Sequence, residues 1–306
     1  MPGARVSRTL AAMGYSELRL RLPYTPPLHW PALEAFLMAR ATPGVEQVEP
    51  GVYRRTVRLD GTDALVEVKP AAGASHRLRA LIRSTAPLTA QPISARLARI
   101  FDLSARPEEI DAWLARDPLL RRHVTRAPGL RVPGAWNGFE LAVRAILGQQ
   151  VTVAGATTLA GRLVHRFGER FESGTFGGPP DLRWHFPVPE ALADADCTGI
   201  GMPGARAKAI SQLATRVAQG SLSLAPDADP AETRRRLLEV PGIGGWTAEY
   251  VAMRALRDAD AFPEGDLVLR RRLARGDAPL SPAAVRRRAE RWRPWRAYAV
   301  MHLWRA

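Results

Sequence analysis

Cysteine is almost missing from this 306-residue chain. Cys197 stands alone, which excludes an intrachain disulfide and any zinc or iron–sulfur centre held by several cysteines of one chain. Lysine is nearly as scarce, with Lys69 and Lys208 the only two. No stretch approaches the ~20 apolar residues of a membrane-spanning helix. The opening "MPGARVSRTLAAMGYSELRLRLP" carries charge but no apolar core of signal-peptide length. No Cys, His and carboxylate cluster has metal-ligand spacing, so neither a metal nor another cofactor is expected. Together these absences predict a cytoplasmic protein with no membrane partner and no obligate protein partner.

What is abundant is positive charge. Arginine and lysine outnumber aspartate and glutamate 44 to 30, a net charge of +14. Such an excess points to a polyanion, because clustered cations displace the counterions condensed on phosphate backbones. The dominance of arginine is also what a G+C-rich genome encodes, but codon bias does not by itself remove aspartate. With 46% hydrophobic and 24% charged residues, the chain has the balance of a folded globular protein, and its length suits roughly two domains.

Glu17 to Leu22 alternates polar and apolar residues with the period of a half-buried strand. "WPALEAFLMAR" then reads as a helix with Pro31 in its first turn, ended by "TPG". "VYRRTVRLDGTDALVEVKP" reads as a hairpin turning at Asp60 and Gly61, and "HRLRALIR" as a further strand. From "ISARLARIFDL" onward the spacing is helical. "DAWLARDPLLRRHV" has a helical period, Asn137 caps a helix that breaks near Gly148 or Thr152, and Ser281 with Pro282 opens the last helical stretch. Ser173 to Pro189, rich in glycine and proline, is expected to be a loop. The predicted fold class is α+β, an N-terminal antiparallel sheet with helices followed by mainly helical domains.

In "RRRLLEVPGIGGWTAEYV" one helix stops near Pro241, the chain turns through glycines, and a second helix starts near Gly245. Glycine permits a left-handed turn, and the new helix presents unpaired N–H groups that attract phosphate. The spacing makes a helix-hairpin-helix able to grip a DNA backbone without reading bases, through Gly242, Ile243, Gly244, Gly245 and Thr247. A plain corner between two helices, with Ile243 plugging the core, is the competing reading; the echo "GIGMPG" at Gly199 to Gly204 shows how common so short a string is.

"LEVPGIGGWTAEYVAMRAL" followed by "FPEGDLVLRR" resembles the helix-hairpin-helix, Gly/Pro-rich loop and aspartate signature of the endonuclease III superfamily of DNA glycosylases. Within it the chain is most similar to the 3-methyladenine DNA glycosylase II family. The likeness extends through "FELAVRAILGQQVTVAGA" and "RWRPWRAYAVMHLW" and, more weakly, over the N-terminal sheet. It implies an N-terminal mixed domain over residues 1–104, a helical segment 105–136 packing with the C-terminal domain, a hairpin-bearing helical domain 137–257 and a C-terminal helical domain 258–306.

The resemblance also implies roles. Asp266 falls at the essential aspartate, facing the positive charge that builds on deoxyribose as a base leaves; an aspartate before an apolar helical run is equally a good N-cap. Trp246, Tyr250 and Trp304, with Phe36 from the N-terminal domain, would line a pocket for a base rotated out of the duplex, although each aromatic also suits ordinary packing. A cationic alkylated purine would gain ~0.5 to 2 kcal/mol per ring contact. Gln150 falls where a side chain fills the gap left in the stack; the pair Gln149 and Gln150 also suits a plain helix end. Trp246 replaces the Schiff-base lysine of strand-nicking members, which implies a monofunctional enzyme leaving an abasic site. The partner is then double-stranded DNA with damaged bases. Oxidised or deaminated purines as substrates, and a non-catalytic DNA-binding protein, are the alternatives.

Overall fold

A computed structural model describes residues 6–10, 14–73, 75–274 and 276–305. Six antiparallel strands, β1 (Val6–Leu10), β2 (Ser16–Pro23), β3 (Glu46–Glu49), β4 (Val52–Leu59), β5 (Thr62–Pro70) and β6 (Arg77–Ser84), form one sheet in the order β1-β2-β6-β5-β4-β3. Helices α1 (Trp30–Arg40) and α2 (Ala90–Ile100) accompany it. Helix then dominates: α3 (Pro107–Leu114), α4 (Pro118–Arg126), α5 (Gly138–Leu147), α6 (Val153–Phe167), α7 (Pro189–Ala193), α8 (Gly204–Ala218), α9 (Pro230–Leu238), α10 (Gly245–Arg254), α11 (Leu267–Arg272), α12 (Pro282–Ala289) and α13 (Arg296–Arg305).

Local chemistry accounts for many boundaries. In the β4–β5 hairpin, Leu59 pairs with Thr62, and both loop residues, Asp60 and Gly61, have positive φ (49° and 76°). That is the two-residue turn whose twist matches the flanking strands. Asn137 Oδ1 accepts from the Phe139 and Glu140 amides, and Thr152 Oγ1 from the Gly155 amide, starting α5 and α6 where the side chains predict. "DAWLARDPLLRRHV" divides into α3 and α4, because Asp117 caps a new helix and Pro118 occupies its first position. The glycine-rich stretch after α6 contains a 3-10 turn at Ser173–Phe176, and Phe176 stacks on Phe171 at 5.3 Å.

Three main apolar clusters result. Leu18, Leu20, Leu22 and Ile82 of the sheet pack with Leu33, Leu37, Ile93 and Leu97 of α1 and α2. Helix α5 is apolar nearly all round, as suits the middle of the second cluster, which it forms with α6 to α10. The third joins α3 and α4 to the end of α10 and to α11, α12 and α13.

The seam between sheet and α5 is ionic. Arg55 of β4 donates to Glu140 of α5 at 2.9 Å and lies 3.7 Å from Glu46, whose carboxylate also accepts from Tyr53 Oη at 2.6 Å. Arg144 donates to Thr42 Oγ1 at 3.0 Å. Burial works against charge on every member, yet Glu140, Tyr53 and Glu46 together hold the Arg55 guanidinium protonated. Burial likewise favours the neutral acid at Glu46, but Arg55 and the Tyr53 hydroxyl outweigh it and keep that carboxyl below its usual range. A cavity of about 40 Å³, bounded by Arg40, Arg55, Trp136, Glu140, Arg144 and Arg254 among others, follows this seam.

Buried histidines make the fold acid-sensitive. Burial, then the neighbouring His123, Arg305 and His29, push His302 of α13 down to about 3, and burial pushes His185 down to about 4 despite Asp63 at 3.1 Å. Because both folded values lie below the ordinary 6.5, the unfolded chain takes up protons first as pH falls. Their contribution is complete above about 6.5 and fades toward pH 3. Melting temperature should therefore drop across that window, with His302→Leu flattening the slope, as followed by circular dichroism at stepped pH.

Candidate active site and DNA-binding face

The hairpin between α9 and α10 is built as its glycines demand. Asp229 caps α9, Ile243 N–H closes a turn on the Val240 carbonyl, and Gly242 has φ +91°. A Cβ on Gly242 would lie 2.9 Å from Ala209 Cβ of α8, so glycine is required twice over, by conformation and by space. Added Cβ atoms on Gly244 and Gly245 would meet nothing within 4 Å, and no side chain caps α10. The chain is thus exposed where α10 begins, at Gly244 and Gly245. Of the residues expected to meet a DNA backbone, Gly242, Gly244 and Gly245 are exposed, whereas Ile243 and Thr247 are buried as whole residues, at 5% and 2% exposure.

Asp266 caps α11, its Oδ1 accepting from the Leu269 amide at 3.0 Å. The same carboxylate accepts two indole N–H groups, Trp246 Nε1 at 2.9 Å on Oδ2 and Trp304 Nε1 at 3.1 Å on Oδ1. The cap and the charge therefore coexist. Its three donors are neutral, no ionic partner lies at hydrogen-bonding distance among the described residues, and the aspartate remains partly exposed. Of the roughly four acceptor positions of a carboxylate, one is left for a water or a sugar.

A second aspartate shows what sets this arrangement apart. Asp117 also caps a helix and also accepts an indole N–H, from Trp292 at 2.8 Å. It is only 8% exposed, has Arg291 at 3.8 Å and lies in packed surroundings. Asp266 opens instead onto an arc of rings. Trp246 stacks on Tyr250 at 5.2 Å and 14°, and Tyr250 meets Trp304 at 6.1 Å and 43°. Trp246, Trp304 and Phe36 are partly exposed, while Tyr250 is buried at 8%. Phe36 joins the arc through Arg254, whose guanidinium carbon lies 4.9 Å from the Phe36 centroid and 5.3 Å from that of Tyr250.

The arginines behind the rings are a feature that motif reading misses. Arg254 donates to Tyr250 Oη at 2.6 Å and to the carbonyls of Pro133 and Gly134, and Arg40 lies 3.9 Å over Phe36. Burial alone would raise the Tyr250 phenol, but Arg254, Arg40 and Arg144 outweigh it and the net direction is downward. The signal was present: 36 and 40, like 250 and 254, are four apart and so share a helix face.

Gln150 is exposed at the tip of the α5–α6 connection with φ 55°, followed by Val151 at 38% exposure. Gln149 points back toward the hairpin. Two more apolar residues, Leu267 and Val268, are exposed immediately after Asp266, at 45% and 43%. Among the described residues no three His, Cys, Asp or Glu side chains are grouped as for a metal, and no helix is long and apolar enough to cross a membrane.

Comparison with known proteins identifies the family to which this fold belongs. Residues 19–137 match the AlkA N-terminal domain, and residues 143–297 match the HhH-GPD superfamily of base excision DNA repair proteins. The chain is 40% identical over 98% of its length to a Mycobacterium tuberculosis protein described as a probable bifunctional transcriptional activator/DNA repair enzyme AlkA, of which it spans 59%. It is 36% identical to DNA-3-methyladenine glycosylase 2 of Escherichia coli, over 92% of this chain and 95% of that one. A 3-methyladenine DNA glycosylase from Archaeoglobus fulgidus superposes with a TM-score of 0.77 at 27% identity, covering 92% of this chain and 96% of that chain. By sequence match and by fold, the chain belongs to the HhH-GPD superfamily of base excision DNA repair proteins.

Proposed function

We propose that this chain is a monofunctional DNA N-glycosylase that removes alkylated purines from double-stranded DNA. The observation carrying this reading is the Asp266 carboxylate, held by two indole N–H groups at the edge of an aromatic arc. The hairpin amides grip phosphate, Gln150 fills the vacated stack, and the extruded base enters among Trp246, Tyr250, Trp304 and Phe36. As the glycosidic bond breaks, its electron pair leaves with the base and positive charge develops on the sugar. Asp266 stabilises that charge, and water adds to the anomeric carbon and gives up a proton to solvent, leaving an abasic site. A ring-alkylated purine already carries the charge that makes it a good leaving group, so this site needs no acid behind it. Domain roles follow: residues 137–257 grip the DNA, 258–306 supply the carboxylate, 105–136 brace that lobe, and 1–104 close the pocket with Phe36.

One observation favours a second reading. The guanidiniums of Arg254 and Arg40 beside Tyr250 and Phe36 suit a neutral base with acceptor oxygens, such as a deaminated or oxidised purine. Incubation with duplex DNA treated with a methylating agent, followed by chromatography of released bases, decides between them. The expected result is free methylated purine, an unbroken strand at the abasic site, and no covalent adduct trapped by borohydride, since neither Lys69 nor Lys208 falls in the hairpin motif. Release from deaminated or oxidised duplex alone supports the second reading; no release from any of them leaves a protein that only binds DNA.

A further inference from the structure

The residue before the exposed tip makes two connections that neither its own helix nor its own loop requires. The Gln149 amide donates from Nε2 to the Gly242 carbonyl at 2.9 Å and to Thr247 Oγ1 at 3.1 Å. One acceptor sits in the turn between α9 and α10 and the other in the first turn of α10, so a single side chain ties the hairpin turn to the helix that follows it. Both anchors are fixed. Gly242 is pressed against Ala209 in a left-handed conformation, and Thr247 is 2% exposed. The tip is less constrained. Gln149 N–H reaches the Ile146 carbonyl, α6 restarts at the Thr152 cap, and between them Gln150 holds a φ of 55° that a side-chain-bearing residue adopts only at some cost.

We propose that Gln149 is a positioning residue that locks the Gln150 tip to the hairpin, so that gripping the phosphate backbone and entering the base stack become motions of one rigid unit. The proposal rests on the reading of the hairpin as DNA grip and of Gln150 as wedge. Without the tether the tip must be ordered anew each time it enters the stack, and that ordering opposes extrusion. The tether does not touch Asp266 or the rings. Its loss therefore slows only the extrusion of a base that is paired and stacked, and spares both chemistry on a base already unpaired and attachment to undamaged DNA.

The test measures single-turnover release of one N-alkylated purine placed either opposite a normal partner base or opposite an abasic gap. Binding of undamaged duplex and the melting temperature are measured alongside. Gln149→Ala should lose about tenfold on the paired lesion, the worth of two modest hydrogen bonds, and about twofold or less on the unpaired one. Its affinity for undamaged duplex should stay within about twofold of the parent, since the hairpin amides are untouched. Gln149→Glu keeps the shape but sets a carboxylate oxygen against the Gly242 carbonyl, and should lose at least as much. Equal losses in the two contexts, or none in either, overturn the tether. Gln150→Ala tells the two failures apart: if it retains a pairing-dependent loss, the coupling alone falls, and if it shows none, the wedge reading falls with it.

Discussion

An Asp266→Asn variant is expected to bind abasic duplex as the parent does and to release base about 10²- to 10³-fold more slowly, the loss that follows removal of a preorganised electrostatic stabiliser. Asparagine isolates the charge because it is as good an N-cap as aspartate, so α11 keeps its start at Leu267. The carboxylate accepts from Trp246, Trp304 and the Leu269 amide, and among the described residues its second oxygen accepts from the Trp246 indole N–H alone. An amide NH₂ in that position would confront a donor, so one indole must turn away, while the ring stack of Trp246 on Tyr250 limits how far. Single-turnover base release and fluorescence anisotropy on the same duplex separate the two effects. Full activity would remove Asp266 from the mechanism; equal losses of binding and release would make it a structural cap.

The largest expected effect on stability lies far from that carboxylate. Arg55→Met takes from Glu140 its direct ionic partner and leaves Arg144 as the cation offsetting both Glu140 and Glu46, and breaking a buried pair from one side costs about 3–5 kcal/mol. The side chains of Arg55 and Glu140 are 4% and 8% exposed, so water cannot substitute. Arg55→Met with Glu140→Leu should recover much of the loss, because removing both charges also removes the need to desolvate them. Urea unfolding of the single and double variants checks this. A single variant as stable as the parent would mean that the seam contributes nothing.

The parts of the architecture legible in the sequence were those with local causes. Asp60-Gly61 forces its turn, Asn137, Thr152 and Ser281 cap the helices they precede, and the Pro-Gly-Ile-Gly turn opens α10 where its glycines place it. Asp266 reads as a cap and is one, but no periodicity tells that two tryptophans, 20 and 38 residues away, converge on it. The strand β3 escapes notice because "EQVE" has neither alternation nor β-branched content beyond Val48. It forms because β4 pairs with it, bringing Glu46 opposite Arg55. β1 is a similar case: "VSRTL" lacks strict alternation and forms a strand by pairing with β2. The contact of Arg55 with Glu140, 85 residues apart, is fixed only once sheet and α5 meet.

Trp304 stands one residue from the end of α13, and helix ends open and close far more often than helix middles. Each opening takes one of three donors from the anion proposed to perform the reaction, while the sheet, the central helix and the hairpin stay closed. Warmth should therefore silence this protein before it unfolds it: the cleft goes quiet from the last turn of α13, on an architecture still intact.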